Sequence, residues 1–180
     1  MTSKREKIIT LRINETSYKI IKDFAKNQGF SVNAYLNSVI DSQAEWFIPI
    51  SSYHAVTLPK SLMAALFSMA NKDNIKELAK RWAVEARNII LLSGAEPNIE
   101  SALDFARRAS KYLMGTDIRI NFGGTSSVSN VTYAVIRHDA GENFSFFVDQ
   151  AFDHFFRLMG IRATINHDET TVSIRIENTG

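Results

Sequence analysis

Three side chains near the beginning of the chain are spaced for recognition chemistry. Ile8, Thr10 and Arg12 lie two residues apart, so in an extended segment they project from one face. Arg12 offers a planar fork of donors that can bridge two neighbouring acceptors. Thr10 adds a hydroxyl and a methyl, and Ile8 can press on a methyl group. Guanine presents such a pair of acceptors in the DNA major groove, and thymine presents such a methyl. One good bidentate contact discriminates between bases by about 1–3 kcal/mol. Ser31, Val32 and Asn33 form a second group, at the start of a predicted helix, where unpaired amides and the positive end of the helix dipole attract an anion such as a phosphate.

Other chemistry-bearing residues are present without a matching pattern. His138, Asp139 and Glu142 cluster at a predicted strand end, Asp149, Asp153 and His154 share a predicted helix, and His167, Asp168 and Glu169 form a turn. Their spacings match no metal motif, and the Asp149 and Asp153 pair is explained as a solvated helix face. Ser126, Ser127 and Ser129 occupy a Gly-rich loop with no nucleophile elbow, no P-loop lysine and no following helix to cradle phosphate. The expectation is a protein that is not an enzyme, with no catalytic residues, no metal and no cofactor.

The elements that must position the recognition residues are legible in Ile8 to Ile40. Ile9, Leu11 and Ile13 alternate with Ile8, Thr10 and Arg12, giving a short strand with one wholly aliphatic face. A lone strand is unstable in water, and no matching strand follows before two helical patterns, so the simplest partner is the same strand of a second chain. Asn14 caps a first helix carrying Glu15 in its first turn and Ile21, Phe24 and Ala25 on one face. Gly29 is a left-handed stop, Phe30 supplies its hydrophobic contact, and Ser31 caps a second helix with Leu36, Val39 and Ile40.

This stretch, with the strand TLRI (Thr10 to Ile13) and the turn GFSVN (Gly29 to Asn33) in uninterrupted register, resembles the ribbon-helix-helix (Arc/CopG-like) family of DNA-binding proteins. The resemblance covers about the first quarter of the chain and implies a dimer whose paired strands enter the major groove as an antiparallel ribbon. Carried over residue by residue, Ile8, Thr10 and Arg12 read bases, while the amides around Ser31, Val32 and Asn33 hold a phosphate. Ile8 stands where relatives often place a polar or basic reader, which implies fewer base-specific contacts. The His and Cys constellation of nickel-responsive relatives is missing, so nickel sensing is not carried over.

Composition agrees with a globular protein. The 180 residues are 45% hydrophobic and 22% charged, enough for one domain plus a small module. Net charge is only +2, yet Lys4, Arg5, Lys7, Arg12, Lys19, Lys22 and Lys26 crowd the beginning. Lys4, Arg5 and Lys7 form a basic arm suited to phosphate contact. There is no cysteine, which excludes disulfides and thiolate metal sites. With no signal peptide and no long apolar run, a cytoplasmic protein with no membrane partner is expected.

A boundary is expected after Trp46 and Phe47, where Pro49 and Pro59 interrupt the helical pattern, dividing the chain into 1–48 and 49–180. The second domain reads as helices over 61–70, 75–92 and 99–113, separated by NKDN and SGAEPN loops. Strands follow over 117–122, 131–138, 161–166 and 171–176, with one apolar helix over 142–159 between the hairpins. Phe144, Phe147, Phe152 and Phe155 place that helix across a four-stranded antiparallel sheet, the ββαββ half of an α+β fold. Its surplus aromatic surface is alternatively the lining of an effector pocket or of a second dimer interface.

The reading is a sequence-specific transcription regulator that binds double-stranded DNA as a homodimer through the N-terminal strand. The second domain senses a small-molecule effector or builds a higher oligomer. The competing reading is an antitoxin-type interaction protein, whose C-terminal segment is commonly short and disordered until bound. The long, periodic C-terminal part argues against it.

Overall fold

The computed structural model describes residues 7–51, 58–109, 111–112, 117–122 (main chain only) and 131–177. The chain divides into two compact units, Met1–Ala44 and Glu45–Gly180.

The first unit holds α1 (Glu15–Asn27) and α2 (Val32–Ser42). Asn14 Oδ1 accepts from the Ser17 N–H at 2.8 Å and fixes the start of α1. Gly29, at φ 75°, closes it: the Phe30 N–H donates to Ala25 O at 2.8 Å and the Gly29 N–H to Lys26 O at 3.1 Å, a Schellman turn. Ser31 Oγ then accepts from the Ala34 N–H at 3.1 Å and starts α2. Residues 7–14 form neither helix nor strand. The strand expected over Ile8–Ile13 is therefore not formed: a strand exists only as part of a ladder, and among the described residues none pairs with this segment.

The second unit begins earlier than expected. Past α2 the helical path widens into a π-turn, Gln43–Phe47, and tightens again in α3 (Ile48–Ile50). Pro49 has no N–H for the carbonyl four residues back, and its ring would crowd that oxygen. The oxygen is that of Glu45, and it accepts from Arg108 Nη1 at 3.1 Å instead. Trp46 is buried, with its ring 5.7 Å from that of Phe105, which ties residues 45–50 to the second unit.

Helices α4 (Lys60–Met69), α5 (Lys72–Leu92) and α6 (Ile99–Ala109) follow. The NKDN segment, expected as a loop, is the start of α5: Asn71 Oδ1 accepts from the Asn74 N–H at 2.8 Å, so 72–74 already form the first turn. Next come β1 (Asp117–Phe122), β2 (Val131–Arg137), α7 (Glu142–Leu158), β3 (Ala163–His167) and β4 (Thr171–Glu177). The strands form one antiparallel sheet in the order β1-β2-β4-β3. The fold is α+β. β3 starts two residues later than expected because Gly160 and Ile161 are used to close α7, with the Ile161 N–H donating to Phe156 O at 2.8 Å.

Period two along the sheet and period 3.6 along α7 meet in the core. Thr132, Ala134 and Ile136 of β2 and Val172, Ile174 and Ile176 of β4 are buried under Phe144, Val148, Phe152 and Phe155 of α7. Trp82 of α5 and Phe105 of α6 complete the aromatic cluster, at 6.0 and 5.8 Å from the Phe155 ring. Asn143 Nδ2 donates to the carbonyls of Phe67 and Ala70 at 2.9 and 3.2 Å, holding the end of α4.

Candidate nucleic-acid interface

In the first unit the alternation of residues 8–13 has a spatial counterpart. Ile9, Leu11 and Ile13 line an open groove together with Leu36 and Ile40 of α2, whereas Thr10 and Arg12 do not line it and are exposed. Ile8 is 99% exposed, yet it borders the same groove beside Lys7. The expected outward row thus consists of Thr10 and Arg12, with Ile8 at its apolar margin.

The start of α2 has one amide already taken. Ser31 uses its hydroxyl to accept from Ala34, and the Tyr35 N–H makes the first helical hydrogen bond to Ser31 O at 3.0 Å. Val32 and Asn33 occupy the two positions before it, where helix geometry supplies no carbonyl. Their amides are the donors that can meet a phosphate; Ser31 acts as the cap that orients them. Lys4 and Arg5, expected as phosphate contacts, lie outside the described residues. Lys7 is exposed.

The unit has almost no core of its own. Ala25 is its only fully buried hydrophobic residue among those described, while Ile9, Leu11, Ile20, Phe24, Phe30 and Ile40 are each between 47% and 71% exposed. Phe24 and Tyr35 touch, with ring centroids 5.1 Å apart, and leave the rest of the aliphatic surface uncovered.

Several titratable groups of the second unit make contacts within the fold. His138 is buried and pairs with Ser145 of α7, Nε2 to Oγ at 2.8 Å, a contact between residues seven apart that sequence reasoning missed. The Ala140 N–H donates to His138 Nδ1 at 3.3 Å, so the neutral ring carries its proton on Nε2 and donates to Ser145. A serine that accepts this hydrogen bond does not give its own proton to the imidazole and is not activated as a nucleophile, and Ser145 has no exposed surface. Burial holds the His138 pKa below its ordinary 6.5, against the opposing pull of the Asp139 and Asp168 charges; Lys60 lowers it further. Asp139 itself is lowered by its hydrogen bond with Lys60, at 2.5 Å. Asp168 is lowered by accepting the Thr170 and Thr171 amides at 2.8 Å.

The acidic pair on α7 is split between different partners. Asp149 meets His167 Nδ1 at 2.6 Å and Asp153 meets Arg157 at 3.0 Å. Among the described residues no three His, Cys, Asp or Glu side chains come together as a metal site. Ser126, Ser127 and Ser129 lie outside those residues. No described helix is long and apolar enough to cross a membrane.

No protein-family model matches the chain, and neither does any curated protein.

Proposed function

We propose that the protein is a sequence-specific DNA-binding transcription regulator that acts as a homodimer. In this reading, residues 8–13 of two chains pair as an antiparallel ribbon in the major groove, and the second domain senses an effector or extends the assembly. The observation that carries this reading is the first unit's uncovered apolar surface beside an exposed Thr10 and Arg12. A second copy supplies both missing things at once: the other edge for the strand and the cover for Ile9, Leu11 and Ile13. The charge distribution supports the same reading. Residues 1–44 carry seven basic against four acidic side chains, whereas 45–180 carry 14 against 15, so the positive surplus lies on the proposed DNA-facing unit.

Selection of binding sites from random duplex DNA, at stated salt, tests the proposal with wild type beside Arg12→Ala. Wild type enriches a repeated motif, and the variant loses discrimination at one position of it by about 1–3 kcal/mol. Failure of wild type to enrich any motif would overturn the reading.

A further inference from the structure

We infer that the free edge of β3 (Ala163–His167) docks the same strand of a second copy, joining two second units into one continuous antiparallel sheet. β3 ends the sheet, with β4 on one side and no strand on the other among the described residues. The Glu177 N–H donates to Arg162 O at 3.2 Å and the Asp168 N–H to Thr171 O at 2.9 Å, so every second residue from Arg162 to Asp168 exchanges its hydrogen bonds with β4. The N–H and C=O groups of Ala163, Ile165 and His167 therefore point away from the sheet. Such an edge is a template for another strand, and proteins ordinarily blunt it with a charged side chain, a proline or a bulge. β3 holds no Lys, Arg, Asp, Glu or Pro, and its register with β4 is unbroken.

The strand matches itself. Antiparallel pairing about a two-fold axis at Ile165 sets Ala163 against the partner's His167, Ile165 against the partner's Ile165 and Thr164 against the partner's Asn166. The outward-facing residues then oppose one another, and each opposed pair exchanges two hydrogen bonds. On the side facing α7, where Ala163 and Ile165 already pack against the core, a small side chain meets the imidazole and two isoleucines meet each other. On the opposite side, one residue beyond each end of the strand, Arg162 stands against the partner's Asp168, and the symmetry makes this contact twice. Arg162 is exposed and makes no ion pair among the described residues. Asp168 holds the Thr170 and Thr171 amides with Oδ1, which leaves Oδ2 for the guanidinium.

Moving the axis by one residue keeps outward groups opposed but loses the charge match. With the axis at Thr164, Arg162 meets the partner's Asn166; with the axis at Asn166, it meets the partner's Thr170. The charges thus select both a second copy and the register. One strand edge falls far short of the ~1,000 Å² of a self-standing interface, so free chains pair only at submillimolar concentration and above. This deepens the assembly part of the proposed function and rests on it for one consequence: dimers on neighbouring DNA repeats hold their second units at an effective concentration of millimolar order, and the β3 edges join them.

The pairing itself is tested without DNA. The chain has no cysteine, so introduced thiols report the register directly. Thr164 and Asn166 are both exposed. Full-length Thr164→Cys and Asn166→Cys, mixed at submillimolar concentration in a glutathione redox buffer, are followed on non-reducing gels. The mixture forms covalently paired chains at least about tenfold faster than either variant alone, because only the mixed pair brings two sulfurs within disulfide reach. Adding Arg162→Glu to both variants sets like charges against each other and slows the reaction by about tenfold, with an unchanged circular dichroism spectrum. A mixture that cross-links no faster than either variant alone, or a rate that Arg162→Glu leaves unchanged, would overturn the inference. Those results leave site selection on DNA untouched, and a failed site selection leaves the cross-link standing.

Discussion

His138 is the group through which acid reaches the core. Its folded-state pKa lies below 6.5, so below that pH the unfolded chain binds a proton that the folded chain refuses. Stability is full above the unfolded value and declines as pH falls through 6.5 toward the lowered folded value. Thermal unfolding followed between pH 7.5 and 5 shows this loss, and His138→Gln flattens it within that window; an unchanged slope in the variant would place the proton elsewhere. Gly29 makes a backbone demand of a different kind. At φ 75° any Cβ pays the left-handed penalty, even though nothing lies within 4 Å of where it would sit. Gly29→Ala therefore costs about 1–2 kcal/mol, read as a lower denaturant midpoint with an unchanged slope. The caps at Asn14 and Ser31 and this stop were legible from residue type because each is set by two or three neighbours. The Ser145 to His138 contact was not: it joins a helix to a strand end, and nothing local to either residue announces it.

At the scale of elements, α7 is the piece around which the second unit is organised. Phe155 has no exposed surface and meets Trp82, Phe105, Phe152 and Phe156. Phe155→Ala leaves a cavity among rings that cannot close over it and costs about 3–5 kcal/mol, measured by denaturant unfolding of the full chain. The apolar period of this helix and the alternation of β2 and β4 were readable because one partner face dictates each pattern. Element ends were read less well. Asn71 extended α5 by a turn, Gly160 and Ile161 took the start of the expected third strand, and Pro49 was read as a break where the chain instead passes through a π-turn. In the last case the decisive partner is Arg108, 63 residues away from the Glu45 carbonyl it satisfies.

For the whole molecule, the proposed function makes the first unit depend on association. Light scattering at micromolar concentration gives twice the 20.3 kDa chain mass. Leu11→Glu, which places an unpaired charge where the proposed dimer would bury its aliphatic faces, is expected to give a monomer and to abolish motif-specific DNA binding, while the second unit keeps its cooperative unfolding. A monomeric wild type at these concentrations would remove the dimer and the ribbon with it. The second unit buries its own aromatic core within one chain, so its unfolding is expected to be insensitive to dilution.

The amino-acid sequence by itself determined the caps at Asn14 and Ser31, the stop at Gly29, which helix and strand faces are apolar, and that residues 8–13 alternate; these depend on neighbours a few positions apart. Only the tertiary structure decided that Trp46 belongs to the second unit, that Ser145 accepts a hydrogen bond from His138, and that Arg108 satisfies the Glu45 carbonyl. Each of those facts depends on groups brought together from distant parts of the chain, and side-chain type and spacing do not encode which distant surfaces will meet.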